Sequence, residues 1–205
     1  MCATFNISKL TSADFSIEPK TGECRVIGVV PGELITEACM RTLDFSKDNG
    51  VDTSRGIIKL AVCERHRGTG HIGLGFIEGL GIERGAIASS VSHDSHNLII
   101  AGTDGDDMAL AGNTVAQMNG GLCVVLSGEV LARCPLPIAG LMSDGTAAET
   151  ADLNRAVREA AARLGCADGV EPFMNLAFIS LPVIPHLKMS TLGLVDVDRQ
   201  ERTSL

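Results

Sequence analysis

The constraint that most limits this chain is the length of its apolar runs. "RVIGVV" (25–30), "IIKLAV" (57–62), "GAIASSV" (85–91), "LIIA" (98–101) and "LCVVL" (122–126) are each four to seven residues long. Several are closed by glycine, proline or serine. Runs this short, rich in Val and Ile and bounded by turn residues, read as buried β-strands rather than helices. None approaches the roughly 20 residues that a membrane helix needs. Ser127-Gly128 between "LCVVL" and "EVLA" is a two-residue hairpin signal.

Two segments have helical period instead. Over Asp104 to Met118, the residues Met108, Ala111, Val115 and Met118 recur on one face; Thr103 or Asp104 can cap the start and Gly120-Gly121 stops it. From Ala147 to Leu164 the stripe is Leu153, Val157, Ala161 and Leu164, with Glu149 and Asp152 early and Gly165 at the end. "PFMNLAFISLPVIP" holds three prolines in an apolar stretch and is expected to be buried but irregular. "GLVDVD" reads as a last strand, and the polar tail beyond Arg199 is expected to fray. Hairpin signals beside strand–helix–strand units give an α/β chain of α+β character: a mixed sheet packed by helices, one domain over residues 1–205 with its core at about 5–198. A chain of 205 residues buries roughly 70% of its unfolded surface. With six Phe and no Trp or Tyr, the core must be mostly aliphatic.

Charge excludes some functions. A net charge of −8 argues against a nucleic-acid partner, which demands a basic face. The opening "MCATFNISK" lacks a secretory apolar segment, and the runs above argue against a membrane partner. The seven cysteines (Cys2, Cys24, Cys39, Cys63, Cys123, Cys134 and Cys166) are odd in number and contain no C-x-x-C; they read as reduced thiols of a cytoplasmic chain.

Two motifs carry chemistry. "RGTGHIGLG" contains G-x-G-x-x-G at Gly68, Gly70 and Gly73, with Asp94 placed as a ribose-binding acid would be. It resembles a dinucleotide fingerprint, but Glu64 to Arg67 separate it from the preceding strand. The plainer reading is a tight turn followed by a helix whose Gly73, Gly75 and Gly79 pack closely on the sheet. Arg65 and Arg67, with the turn's amides at Gly68 and Gly70, are the candidates for binding an anion or ligand. The second motif is "SHDSHN" (92–97). His93, Asp94, His96 and Asn97, with His66, form a polar cluster open to three readings: a structural turn or interface network, a proton-handling loop facing substrate, or half of a metal site completed by His66, His71 or His186.

The segments "CERHRGTGHIGLGFIEGLGIERGAIASSVSHDSHNLIIAGTD", "CPLPIAGLMSD" and "PFMNLAFISLPVIPHLKMSTLGLVDV", with "FNISKLTSADFSI" and "RVIGVVPGELITE" ahead of them, resemble the C-terminal domain of prokaryotic adenine deaminases from about Phe5 to Asp198. The resemblance implies a role in hydrolytic deamination of adenine to hypoxanthine and ammonia. In that amidohydrolase group a (β/α)₈ barrel holds a binuclear Mn or Fe centre, which lowers the pKa of bound water and so supplies a hydroxide nucleophile. A barrel of that kind takes about 250 residues, and none of the five histidines here (66, 71, 93, 96 and 186) stand as the H-x-H pair such barrels carry. The chain by itself is therefore expected to hold no metal or other cofactor and to be inactive, a module produced on its own whose partner is an amidohydrolase barrel. His66, His93, Asp94, His96 and Asn97 are the candidates for facing that junction. The rival expectation is a non-catalytic purine or nucleotide sensor built on the "GTGHIG" turn. Self-association into a homo-oligomer is a further expectation, since a domain that covers a barrel exposes an apolar patch when alone.

Overall fold

A computed structural model of the chain describes residues 5–18, 22–167 and 169–205; Cys2 lies outside them. In chain order the strands and helices are β1 (Glu23–Val29), β2 (Thr36–Thr42), β3 (Ile57–Cys63), β4 (Ile72–Glu78), β5 (Ala86–Ser89), β6 (Leu98–Gly102), α1 (Gly105–Gln117), β7 (Gly121–Leu126), β8 (Glu129–Pro135), α2 (Ala147–Ala162), α3 (Pro172–Ile179), β9 (Leu187–Ser190), β10 (Gly193–Asp196) and β11 (Glu201–Arg202). Eight strands form one sheet in the order β2-β1-β4-β3-β6-β5-β7-β8, and β11-β10-β9 form a second, small sheet. The large sheet is mixed: β1 and β4 run parallel and every other pair is antiparallel. The expected mixed α/β single domain is the observed one.

Both faces of the central strands are covered, which is why their sequences are continuously apolar rather than alternating. All seven residues of β3 are buried. Its odd and even positions serve different layers. Ile58, Leu60 and Val62 pack with Val157, Ala161 and Leu164 of the α2 layer, with Leu176 of α3, and with Leu187 and Met189 of the small sheet. Ala61 and Cys63 pack on the other face with Met108, Ala111 and Val115 of α1. The molecule thus has three layers, with α1 on one side of the sheet and α2, α3 and the small sheet on the other.

The helices start where their caps dictate. The Asp104 side chain accepts from the Asp107 N–H at 2.9 Å and opens α1. Thr146 and Glu149 form a reciprocal capping box at α2. Of the stripe expected on α2, Val157, Ala161 and Leu164 are buried and Ala160 joins them, whereas Leu153 is left exposed. The predicted hairpin is present: Ser127 and Gly128 both have positive φ, as a two-residue hairpin turn demands. Its tip is held by Asp107, whose buried carboxylate accepts from the Ser127 and Gly128 N–H groups at 2.8 and 2.7 Å.

Three expectations are corrected. The glycine-rich "HIGLG" opens no helix; it enters strand β4. Gly73 lies so close to the small sheet that a Cβ there would sit 1.9 Å from the Ser190 carbonyl oxygen, so the glycine admits a second layer of backbone. "PFMNLAFI" is a regular helix, α3, because Pro172 occupies its first turn, where a missing N–H costs nothing, and Glu171 caps the Met174 N–H. The tail does not fray: β11 pairs with β10, Thr203 N–H donates to Leu194 O at 3.0 Å, and Arg25 donates to Ser204 O at 2.9 Å.

Candidate functional site

The loop 92–97 connects β5 to β6 and is tied down at both ends. At its start the buried Ser92 hydroxyl lies 2.6 Å from the Ser180 hydroxyl, and Ser180 donates to His93 O at 2.8 Å. His93 N–H donates to Ala177 O at 2.7 Å, which fixes the loop to α3. At its end, Arg65 N–H donates to the Asn97 side-chain oxygen at 3.3 Å, and Asn97 donates to the Ser95 hydroxyl at 3.0 Å. His96 holds a left-handed backbone conformation.

The fold brings His66, His93 and His96 to this one loop. His66 Nε2 donates to Ser95 O at 2.8 Å, since a carbonyl can only accept. The His93 and His96 rings meet edge to face with centroids 5.5 Å apart, and His93 packs on Phe178 at 4.6 Å. Among the described residues, His96 Nδ1 is buried without a hydrogen-bond partner. Burial, then the nearby His93 and Arg65, push the His96 imidazole below its ordinary pKa. Asp94 is exposed. His71 is exposed on the turn before β4, and His186 is paired with Asp198 at 2.6 Å beside Thr36; neither was found in the cluster. Among the described residues, no three His, Cys, Asp or Glu side chains converge as metal ligands.

The turn 64–71 answers the question of the anion differently from the sequence. Its amides already hold an anion, the protein's own Glu64. That carboxylate accepts from the N–H groups of His66, Arg67 and Thr69 at 2.6, 2.9 and 3.1 Å and from the Thr69 hydroxyl at 3.1 Å. Burial raises its pKa, but the three amides and the hydroxyl outweigh burial and hold it at about 2. Gly68 and Gly70 supply the positive φ angles of this turn. Arg67 is exposed, whereas Arg65 is only 1% exposed. The Arg65 guanidinium lies 4.5 Å above the Phe5 ring and donates to His96 O at 2.6 Å and to Ala139 O at 3.0 Å. This side chain stitches the turn, the histidine loop and the 136–142 loop together.

Sequence reasoning missed the other half of the site. Ser180 and Phe178, which seat the histidine loop, lie more than 80 positions downstream. Beside α3 the structure leaves Leu34, Ile35, Met174 and Val183 exposed at 38, 43, 52 and 73%. Hydrogen bonds tie their segments together: Asn175 donates to Glu33 O, and Thr36 N–H donates to Pro185 O. These exposed apolar side chains thus sit on segments tied to one another, and α3, which carries Met174, also seats the histidine loop. The available signal was the apolar stretch 172–185, whose proline-rich end, 181–185, is left half-buried or exposed. No helix among the described residues is long and apolar enough to cross a membrane.

Comparison with known proteins gives the family. Residues 33–201 match the model of the family described as the adenine deaminase C-terminal domain. An adenine deaminase of Brucella anthropi is 47% identical over 94% of this chain and 34% of its own length. That of Desulfatibacillum aliphaticivorans is 47% identical over 90% of the chain and 32% of its own. Adenine deaminase 2 of Carboxydothermus hydrogenoformans is 44% identical over 95% and 34%. The chain spans about a third of the length of these relatives. It belongs to the adenine deaminase C-terminal domain family.

Proposed function

We propose that this domain docks on the catalytic portion of an adenine deaminase and completes the surroundings of its active site. The observation that carries the reading is the exposure of Leu34, Ile35, Met174 and Val183 on α3, which seats the histidine loop, and on the segments tied to it. A monomer rarely exposes such a patch without a partner for it. His66, His93 and His96, with Asp94 and Asn97, then lie along the margin of that contact. Loops held on a rigid scaffold are suited to shaping a neighbouring site.

In this reading the catalytic portion is an amidohydrolase barrel. It carries the Mn or Fe centre and hydrolyses adenine to hypoxanthine and ammonia, while this chain contributes no metal ligand. The reading also places the chain in the cytoplasm, supported by the packing of its buried thiols at Cys24, Cys39, Cys63, Cys123 and Cys134 as small hydrophobes. Without the barrel, the same patch drives self-association. The test is a deaminase assay on the purified chain with added Mn²⁺ or Fe²⁺. The expected result is no adenine turnover above background; turnover by the chain alone overturns the division of labour.

A further inference from the structure

We propose that the cavity between α2, α3 and the ends of β5 and β7 is the socket for an apolar side chain carried by the catalytic portion of an adenine deaminase. The inference rests on the docking reading and names where that contact is anchored. The cavity holds about 330 Å³. An apolar cavity of roughly 150 Å³ already takes up benzene, so this one has room for an aromatic or large aliphatic side chain. Leu122, Leu136, Phe173 and Ala177 line it, all at least nine-tenths buried. A larger depression along the outer face of α2 is lined mainly by exposed residues and lacks such a floor.

The cavity asks for apolar atoms because its polar groups already serve one another. The Ser89 hydroxyl accepts from the Val91 N–H at 3.0 Å and donates to Val91 O at 3.1 Å. At the rim, Arg158 Nε lies 3.3 Å from the Glu171 carboxylate, which also caps the Met174 N–H. A polar metabolite would give up its hydration there for no new hydrogen bond. An apolar group gains from burial alone. Two lining residues connect the cavity with the docking face: Met174 is one of the exposed apolar side chains, at 52%, and His93 belongs to the histidine loop. A polypeptide laid over Met174 therefore meets the cavity. In the relatives this domain is about a third of one longer chain, so the remaining two-thirds is the polypeptide tethered beside it at high effective concentration. A side chain seated in a preformed pocket is how a few residues come to carry most of an interface's affinity.

The experiment measures association of this chain with the separately produced remaining two-thirds of the Brucella anthropi protein. The native chain is compared with Ala177→Leu and Ala177→Phe, which fill the cavity from its own wall, and thermal melts establish that the variants are folded. Toluene is the second probe. It is titrated into the chain alone by NMR, then added at saturation to the association assay, and this arm decides the matter if the filled variants do not fold. Saturable toluene binding to the native chain is expected, with association weakened about tenfold or more by the filled cavity and by toluene alike. Absence of saturable toluene binding overturns the socket. Association unchanged by filling and by toluene overturns it too and leaves docking intact, whereas no association of the native chain overturns the docking reading and the socket with it.

Discussion

Replacing Glu64 by glutamine tests whether the "ERHRGTG" turn is built around its own anion. The carboxylate takes four hydrogen bonds from His66, Arg67 and Thr69. Burial raises its pKa; those donors outweigh burial and leave it at about 2. Against an ordinary glutamate value of about 4.3, at about 1.4 kcal/mol per unit, the gap corresponds to about 3 kcal/mol. The group is partly exposed, and solvent screening reduces this to about 1–2 kcal/mol. Because the folded pKa lies below the unfolded one, the stabilisation is complete above about pH 4.3 and is lost as the pH falls toward about 2. Glu64→Gln removes the charge and sets an NH₂ group among N–H donors. Urea denaturation at pH 7, 5, 4 and 3 should show the variant about 1–2 kcal/mol less stable at pH 7, with the difference shrinking below pH 4. An equal difference at pH 3 and 7, or none at pH 7, refutes the reasoning.

Three other substitutions probe the frame around the site. Asp107→Ala strips two charge-assisted hydrogen bonds from the Ser127-Gly128 tip; it should cost about 2–3 kcal/mol in urea denaturation, and a loss below about 0.5 kcal/mol contradicts the assignment. Gly73→Ala drives a Cβ against Ser190 O and should cost about 3 kcal/mol or more, with hydrogen exchange fastest in β9 and β10; uniform exchange across the chain counts against this contact. Lys188 is fully buried, and burial holds its ammonium at about 8. Its folded pKa lies below the unfolded value of about 10.4, so the penalty for burying the charge is complete below about pH 8 and relieved as the pH rises toward 10.4. Stability should climb through that window in the native chain and stay flat in Lys188→Met; matching pH profiles refute it.

The parts of the fold written in local patterns were legible. "IIKLAV" is apolar but for Lys59 because both its faces are buried, and the cap at Asp104 acts only on the next turn. The parts set by distant partners were not. Gly73 reads as a helix-packing or nucleotide-binding glycine until the small sheet, more than 110 residues downstream, is laid on it. The tail reads as frayed because its polar residues carry no apolar pattern of their own; only pairing with β10, itself legible as "GLVDVD", orders it. At the site, the histidine loop stood out by residue type. What the turn's amides hold was not legible, because Glu64 precedes them in the sequence yet its carboxylate takes the N–H groups of His66, Arg67 and Thr69 in space. The burial of Arg65 was not legible either: a charged residue in a turn suggests solvent, while packing on Phe5 and two backbone carbonyls keep it inside.

The central claim is that the exposed apolar set on α3 and the segments tied to it is a docking face. The direct measurement is the affinity of this chain for the separately produced remaining two-thirds of a relative, such as the Brucella anthropi protein, by sedimentation or calorimetry, with Met174→Glu and Val183→Asp as paired variants. Both side chains are exposed, at 52 and 73%, so the isolated fold should tolerate the changes. The account predicts association that each substitution weakens by about tenfold or more. Association unaffected by either substitution, or none detected at about 100 μM, far weaker than a stable interface gives, would contradict it.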